Sequence, residues 1–400
     1  MGKKPLKIAI LAQYLPPIYS GAGRQALKIG MELHNKGHSV FFVTCRYPTL
    51  KPRPVINGIK TYEVTTRNIS SIQGHFTFGI KALIILLKKR HDFDILFSPG
   101  MCPLIAFVFI ILKALNKKIV LRMSLFTDNP EILKRRKIGR YLLLPYHLAD
   151  SIVAPSTARL KDASQAFPEY AEKIVRINNC VNTKVFNYCS DNEEKLLLKK
   201  KLNLDPGLQY VSYVGRIIKR KGIEFLIEAW KEVVKDYDKA VLLLIGPNDY
   251  ASKGKINSDN SFYRKINKEI ENSNIGNKVI FIGETNKVPE YLKVSDVFVF
   301  ASIAEGLPSA PIEAMAAGVP PVVLDIKDIM TDIIDTGQNG LIISQGDIDC
   351  FREELIRVLK DDIYRLELSR RAREKAVKHF SVECVGQKYI ELFQFILSKP

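Results

Sequence analysis

The 400-residue sequence has few cysteines, a single tryptophan and no long apolar run. Its six cysteines, at positions 45, 102, 180, 189, 350 and 384, form no Cys-x-x-Cys pair. That argues against a zinc ribbon and for reduced thiols in a cytosolic chain. The longest apolar run, 101–112, has 12 residues, whereas a helix that crosses a bilayer needs about 20. The start runs straight into the strand-like Leu6–Leu11, so no secretory leader is expected. Acidic residues are scarce in one half only. Residues 1–200 hold 32 basic and 13 acidic side chains, a balance of +19, and residues 201–400 hold 28 and 29, a balance of −1. This split predicts two domains of about 200 residues with different partners. A hydrophobic content of 46% with 26% charged side chains excludes a disordered chain.

Both halves alternate short apolar runs with helix-like segments. In the first, Ile8–Leu11, Val40–Thr44, Ile95–Ser98, Ile119–Met123, Ile152–Pro155 and Ile174–Ile177 read as strands, and Ala22–Lys36 reads as a helix stopped by Gly37. In the second, the strands are Tyr210–Val214, Val241–Ile245, Val279–Ile282, Val297–Ala301, Pro321–Leu324 and Leu341–Ser344. Gly222–Lys235 is a helix with Phe225, Leu226, Ala229 and Val233 facing inward, and Asn248–Ser261 reads as a polar surface loop. Short apolar strands between helices indicate parallel sheets buried on both faces. The expected fold is α/β, with two doubly wound Rossmann-like domains over 1–187 and 188–380, and a C-terminal helix near 381–400 that packs back on the first.

The sharpest local feature runs from Glu305 to Gly318. A strand ends just before it and a short helix begins near Ser309. Glu305 falls in the loop and Glu313 in the first turns of the helix, both toward the edge where open α/β sheets bind ligands. The backbone of Gly306, Leu307, Pro308 and Ser309 reads as an anion cradle. Taken singly, Glu313 could merely complement the helix dipole and Glu305 could be solvated. A second feature is Gly215-Arg216-Ile217-Ile218-Lys219-Arg220-Lys221-Gly222, directly after a strand.

With these elements the sequence resembles the retaining glycosyltransferases of family 4, which have the GT-B fold. Glu305 and Glu313 match that family's Glu-x7-Glu element, and Gly215-Arg216 with Lys221-Gly222 match its Gly-Arg…Lys-Gly element. Gly21-Ala22-Gly23 looks like its N-terminal glycine loop, Gly37-His38 its Gly-His, and Asn179-Cys180-Val181-Asn182…Phe186 its junction segment. The resemblance implies two domains facing a central cleft and a sugar moved from a nucleoside-diphosphate sugar to an acceptor hydroxyl, in glycolipid, lipopolysaccharide or polysaccharide synthesis. It implies that Glu313 holds ribose hydroxyls, that Glu305 contacts the sugar or orients its leaving group, and that Arg216 and Lys221 neutralise the diphosphate. Gly21, Ala22, Gly23 and Gly215 would approach the donor, with backbone near Gly283 and Glu284 at the base. Two fixed cations stabilise a departing diphosphate without a metal, so no metal or other cofactor is expected. Lys219 and Arg220 lie between them, and either is an alternative contact.

Other motifs point elsewhere and are weaker. Gly21-x-Gly23-x-x-Ala26 fits a dinucleotide fingerprint formally, but nine residues separate it from the strand and no acidic residue ends the next one. Asp92-Phe93-Asp94 mimics a metal-binding Asp-x-Asp but precedes its strand; Asp347-Ile348-Asp349 reads as a helix start. His38 reads as a helix-end residue. Ser124 stands where many members of the family have histidine, which leaves donor-sugar contacts to Asp128 or an acidic acceptor to Arg122. The departure keeps two alternatives open: a GT-B-related sugar-nucleotide hydrolase or epimerase, and an inactive nucleotide-sugar-binding protein.

Three basic segments carry the charge of the first half. Lys81–Arg90 and Lys113–Lys118 read as core helices with solvated basic flanks. Lys134, Arg135, Arg136 and Lys137, followed by an apolar aromatic run, read as a contact for an anionic membrane or an acidic acceptor. No nucleic-acid motif accompanies the charge, so nucleic acid is not an expected partner. A nucleotide-sugar donor and a glycan or lipid-linked acceptor are, with a cytoplasmic location that includes the inner face of the plasma membrane.

Overall fold

The computed structural model describes residues 4–18, 20–66, 71–101, 105–123, 139–247 and 261–399. Ser124, Asp128, Lys134, Arg135, Arg136, Lys137 and the polar stretch 248–260 lie outside the described residues. The chain divides into two compact units, 1–180 with 382–400, and 181–381. The division falls at Cys180/Val181, earlier than the 187/188 boundary read from the sequence, because Cys180 is bonded into the first unit: Gln25 Oε1 accepts from its backbone N–H at 2.8 Å.

The first unit contains β1 (Lys7–Leu11), α1 (Gly21–Asn35), β2 (Ser39–Arg46), β3 (Val55–Ile56), β4 (Ile59–Thr65), α2 (Ile72–Lys88), β5 (Ile95–Ser98), α3 (Ile105–Ala114), β6 (Lys118–Arg122), α4 (Gly139–Leu148), β7 (Ser151–Ala154), α5 (Thr157–Ala166) and β8 (Ile174–Arg176), closed by the C-terminal α13 (Val382–Ser398). The strands form one sheet in the order β3-β4-β2-β1-β5-β6-β7-β8, parallel except for β3. Strand periodicity sends Ile8 and Ile10 to one face, under α1 and α13, and Ala9 and Leu11 to the other, under α2, α3 and α4. On the α13 side, Tyr389 and Phe393 pack against Phe97 with ring centroids 5.2 and 6.0 Å away. The β3–β4 hairpin is absent from the sequence reading. Its signal was an Asn57-Gly58 pair between strand-like residues. Both have positive φ, 48° and 82°, as a two-residue hairpin loop requires.

The second unit contains α6 (Asn192–Lys201), β9 (Gln209–Val214), α7 (Ile223–Asp236), β10 (Ala240–Ile245), α8 (Ser261–Asn272), β11 (Val279–Gly283), α9 (Val288–Val294), β12 (Val297–Phe300), α10 (Ser309–Ala316), β13 (Pro321–Leu324), β14 (Leu341–Ile343), α11 (Ile348–Lys360) and α12 (Asp362–Lys375). Its six strands are parallel in the order β11-β10-β9-β12-β13-β14. Burial on both faces explains why these strands are nearly all apolar. Helix α7 buries Leu226, Ala229, Trp230 and Val233, while Phe225 is only half-buried. The sequential order reverses between β9 and β12, so the loops leaving their carboxyl ends diverge there. That switch point is where open α/β sheets take their ligands.

Candidate active site

The loop after β9 carries Gly215 to Gly222, and the loop after β12 carries Ala301 to Pro308; both leave the carboxyl edge at the switch point. Lys219–Lys221 forms one 3-10 turn, ended by Gly222 in the left-handed region at φ 68°. A Cβ on Gly222 would lie 1.8 Å from the Ala301 carbonyl oxygen, so only glycine lets this turn rest on the end of β12. The backbone seals the joint: Ile303 N–H donates to Arg220 O at 3.0 Å. The turn leaves Lys219 and Arg220 exposed and sends Lys221 inward.

Inside, Lys221 Nζ donates to Glu305 Oε1 at 2.5 Å, with both side chains 13% exposed. Ser302 Oγ donates to the same oxygen at 2.7 Å, and Arg220 Nη1 at 3.2 Å while also reaching Ala304 O. All three contacts fall on Oε1 and none on Oε2. Lys221 also sits 5.3 Å from the centre of the Phe300 ring. Burial pulls the Lys221 ammonium below its ordinary range, and Glu305 opposes that shift by favouring the charged form. A cation with little water around it interacts strongly with any anion placed beside it.

Arg216 is half-buried on the same loop, and its backbone carbonyl accepts from Tyr213 OH at 3.0 Å. Gly215 N–H donates to Ile245 O at 2.9 Å, and Gly246 N–H to Gly283 O at 2.9 Å. These bonds tie the ends of β9, β10 and β11 together. Gly246 lies too close to Gly215 for a side chain, whereas Gly283 has φ 75° and open space around it. Glu284 is exposed. Pro308 is the N-cap of α10, with Gly306 and Leu307 buried before it and Ser309 half-buried after. Glu313 is 7% exposed within α10. The structure thus brings Lys221 and Glu305 into contact and sets Arg216 on the same loop. It adds Ser302, which the sequence did not single out, and gives Arg220, expected only as an alternative diphosphate contact, a bond to Glu305. After β13, Asp325 Oδ1 is buried with no hydrogen-bond partner among the described residues, close to Lys327 and Asp328 with positive φ. Such strain clusters at functional sites.

In the first unit, Ser20 Oγ accepts from Gly23 N–H at 3.1 Å and caps α1. That N–H is already used by the helix cap. Gly23 is also required sterically, its Cβ position lying 1.9 Å from Tyr14 O, whereas Gly21 is exposed and unobstructed and Ala22 is half-buried. Arg122 corrects one expectation. It is 3% exposed and donates to Asn179 Oδ1, so it braces the chain beside Cys180 instead of facing an acceptor. Asp92 pairs with Lys89 at 3.1 Å at the amino end of β5, the edge opposite the ligand edge. Asp347 caps α11, as its position suggested.

The two Rossmann-like units have the architecture of the GT-B glycosyltransferases. The family described as Glycosyl transferases group 1 matches residues 194–376, and that described as Glycosyltransferase Family 4 matches residues 19–185. The chain belongs to these group 1, family 4 glycosyltransferases. It is 23% identical over 398 residues to N-acetyl-alpha-D-glucosaminyl L-malate synthase of Bacillus anthracis, covering 98% of this chain and 97% of that protein. It is 28% identical over 188 residues to UDP-Gal:alpha-D-GlcNAc-diphosphoundecaprenol alpha-1,3-galactosyltransferase of Escherichia coli, covering 46% and 45%. Among solved structures, Anabaena HepE in complex with UDP and glucose has a TM-score of 0.77 at 17% identity, covering 97% of this chain and 99% of that one.

Proposed function

We propose that the protein is a retaining glycosyltransferase that moves a sugar from a nucleoside-diphosphate sugar to an acceptor hydroxyl in glycan or glycolipid synthesis. The observation that carries this reading is the Lys221–Glu305–Arg220 cluster, with Arg216 on the same loop, at the carboxyl edge of β9 and β12. The bond between the donor's anomeric carbon and the diphosphate oxygen breaks while the acceptor oxygen bonds to that carbon on the same face. The acceptor proton passes to the departing phosphate oxygen, and the products are the glycoside and the nucleoside diphosphate. Lys221 and Arg216 neutralise the charge that grows on the diphosphate, a stabilisation strongest where water is scarce. They make a metal ion unnecessary.

Glu305 has two tasks. Its Oε1 holds Lys221 in place, and its Oε2 is left to accept from the donor sugar. Glu313, an acceptor-only carboxylate when ionised, takes the ribose hydroxyls. The first-turn N–H groups of α10 and the backbone of Gly306–Ser309 face the phosphates, and the open side of Gly283 takes the base. A uridine diphosphate sugar is the first donor to test, because HepE was solved with UDP and UDP-glucose. The basic first unit receives the acceptor, and a lipid-linked glycan is favoured by the diphosphoundecaprenol substrate in the Escherichia coli relative's name. On this reading the protein works at the cytoplasmic membrane surface.

Proton NMR of the transfer product tests the stereochemistry. The anomeric coupling constant of the new linkage should match that of the donor. An inverted anomer would overturn the retaining assignment, and a free sugar formed equally fast with and without acceptor would identify a hydrolase.

A further inference from the structure

Two helices on one face of the first sheet, α2 and α3, are apolar on both sides. Helix α2 packs Phe78, Ala82, Leu83 and Leu86 into the core. Its opposite stripe should be polar in a soluble amphipathic helix. Instead Phe76, Ile80 and Ile84, spaced four residues apart, are exposed by 51, 53 and 47%. Helix α3, packed beside α2, repeats the pattern with Phe107 and Ile110 exposed by 52 and 46%. A contiguous apolar surface of this kind marks an interaction site.

We propose that the outward face of α2 and α3 docks on an anionic lipid bilayer. Charge identifies the occupant. Neither helix contains an aspartate or glutamate, and Lys81 and Lys88 are exposed on the same stripe of α2, with Arg90 just beyond its end. Lys89 and Lys113 contribute less, because Asp92 and Asp150 pair with them. Apolar side chains flanked by cations that have no acidic partner among the described residues suit the boundary between acyl chains and anionic headgroups, where each exposed cation adds attraction. An apolar protein partner would leave those lysines unmatched. Among the described residues no helix is long and apolar enough to cross a membrane, so the contact is with the surface. This deepens the membrane side of the function proposed above. Its test does not involve the donor site, so the two readings fail separately.

The test is co-sedimentation of the full chain with phosphatidylcholine vesicles, with and without phosphatidylglycerol. The wild type should bind only the anionic vesicles, and more weakly as salt rises. The variant Phe76→Ser/Ile80→Gln/Ile84→Gln should bind at least about tenfold more weakly, and Lys81→Glu/Lys88→Glu should lose the preference for anionic lipid. The substituted side chains are exposed, and unchanged thermal melts of the variants confirm that the fold is intact. No binding by the wild type, or equal binding by the triple variant, overturns the proposal. So does a lipid-free dimer that the triple variant converts to monomer, because the face would then belong to a second copy of the chain.

Discussion

Replacing Glu305 with glutamine keeps the shape of the site and removes one charge. Lys221 Nζ and Glu305 Oε1 are 2.5 Å apart, which at an effective dielectric constant of ~20 amounts to about 7 kcal/mol of gross attraction. Desolvation of the two groups offsets most of that. Removing one partner costs about 3 kcal/mol, because the other charge is left buried and unpaired. Trp230 is the only tryptophan, it is buried in α7, and its indole N–H donates to Lys278 O at 3.0 Å. Its fluorescence during urea unfolding therefore reports on the second unit alone. Glu305→Gln and Lys221→Met should each lower the unfolding free energy by about 3 kcal/mol. The double variant should lose less than the sum, with a coupling of about 2 kcal/mol. A coupling within about 0.5 kcal/mol of zero would make the pair an ordinary surface contact and refute the description of Lys221 as a held, buried cation.

Two further outcomes follow from the geometry. Gly222→Ala forces a Cβ against Ala301 O and strains a left-handed residue; it should destabilise the second unit by about 2 kcal/mol or more in the same urea assay and weaken nucleotide binding by displacing Lys221. In the first unit, His38 Nδ1 accepts from Leu6 N–H at 3.3 Å, and His75 Nδ1 lies 2.8 Å from Gln13 Nε2. Burial lowers both pKa values, so each contributes stability that is fully present above about pH 6.5 and is lost as pH falls through the lowered folded values. Circular-dichroism melts should show that loss, and it should shrink in His38→Asn/His75→Asn.

The sequence made the fold legible because parallel strands buried on both faces appear as short apolar runs, each followed by a helix. The Val297–Phe300 strand, its loop and the proline-started helix placed Glu305 and Glu313 at the ligand edge from spacing alone. Burial was less visible. In the run Lys219-Arg220-Lys221 all three cations look alike, and only the left-handed Gly222 resting on Ala301 decides that Lys221 turns inward. Arg220 reaches Glu305 through a contact between distant loops that no local pattern encodes, and Ser302, three residues before Glu305, joins it only because the loop folds its hydroxyl onto the same oxygen. Arg122 looked available for an acceptor because a strand end says nothing about Asn179 lying beside it. The outward face of α2 was hidden for a different reason. A helix that is apolar all round has no periodicity to say which side is out, so Lys81–Arg90, with Ile84 in it, read as a core helix.

The central claim is that the loops after β9 and β12 hold the diphosphate of a nucleotide-linked sugar. Isothermal titration of UDP into the wild type and into Arg216→Ala tests it most directly, with GDP and ADP as parallel ligands. One of the three should bind saturably, with a loss of at least about tenfold in affinity in the variant, for one charge-assisted phosphate contact. Binding of equal strength in wild type and Arg216→Ala, or binding of none of the three, would contradict it.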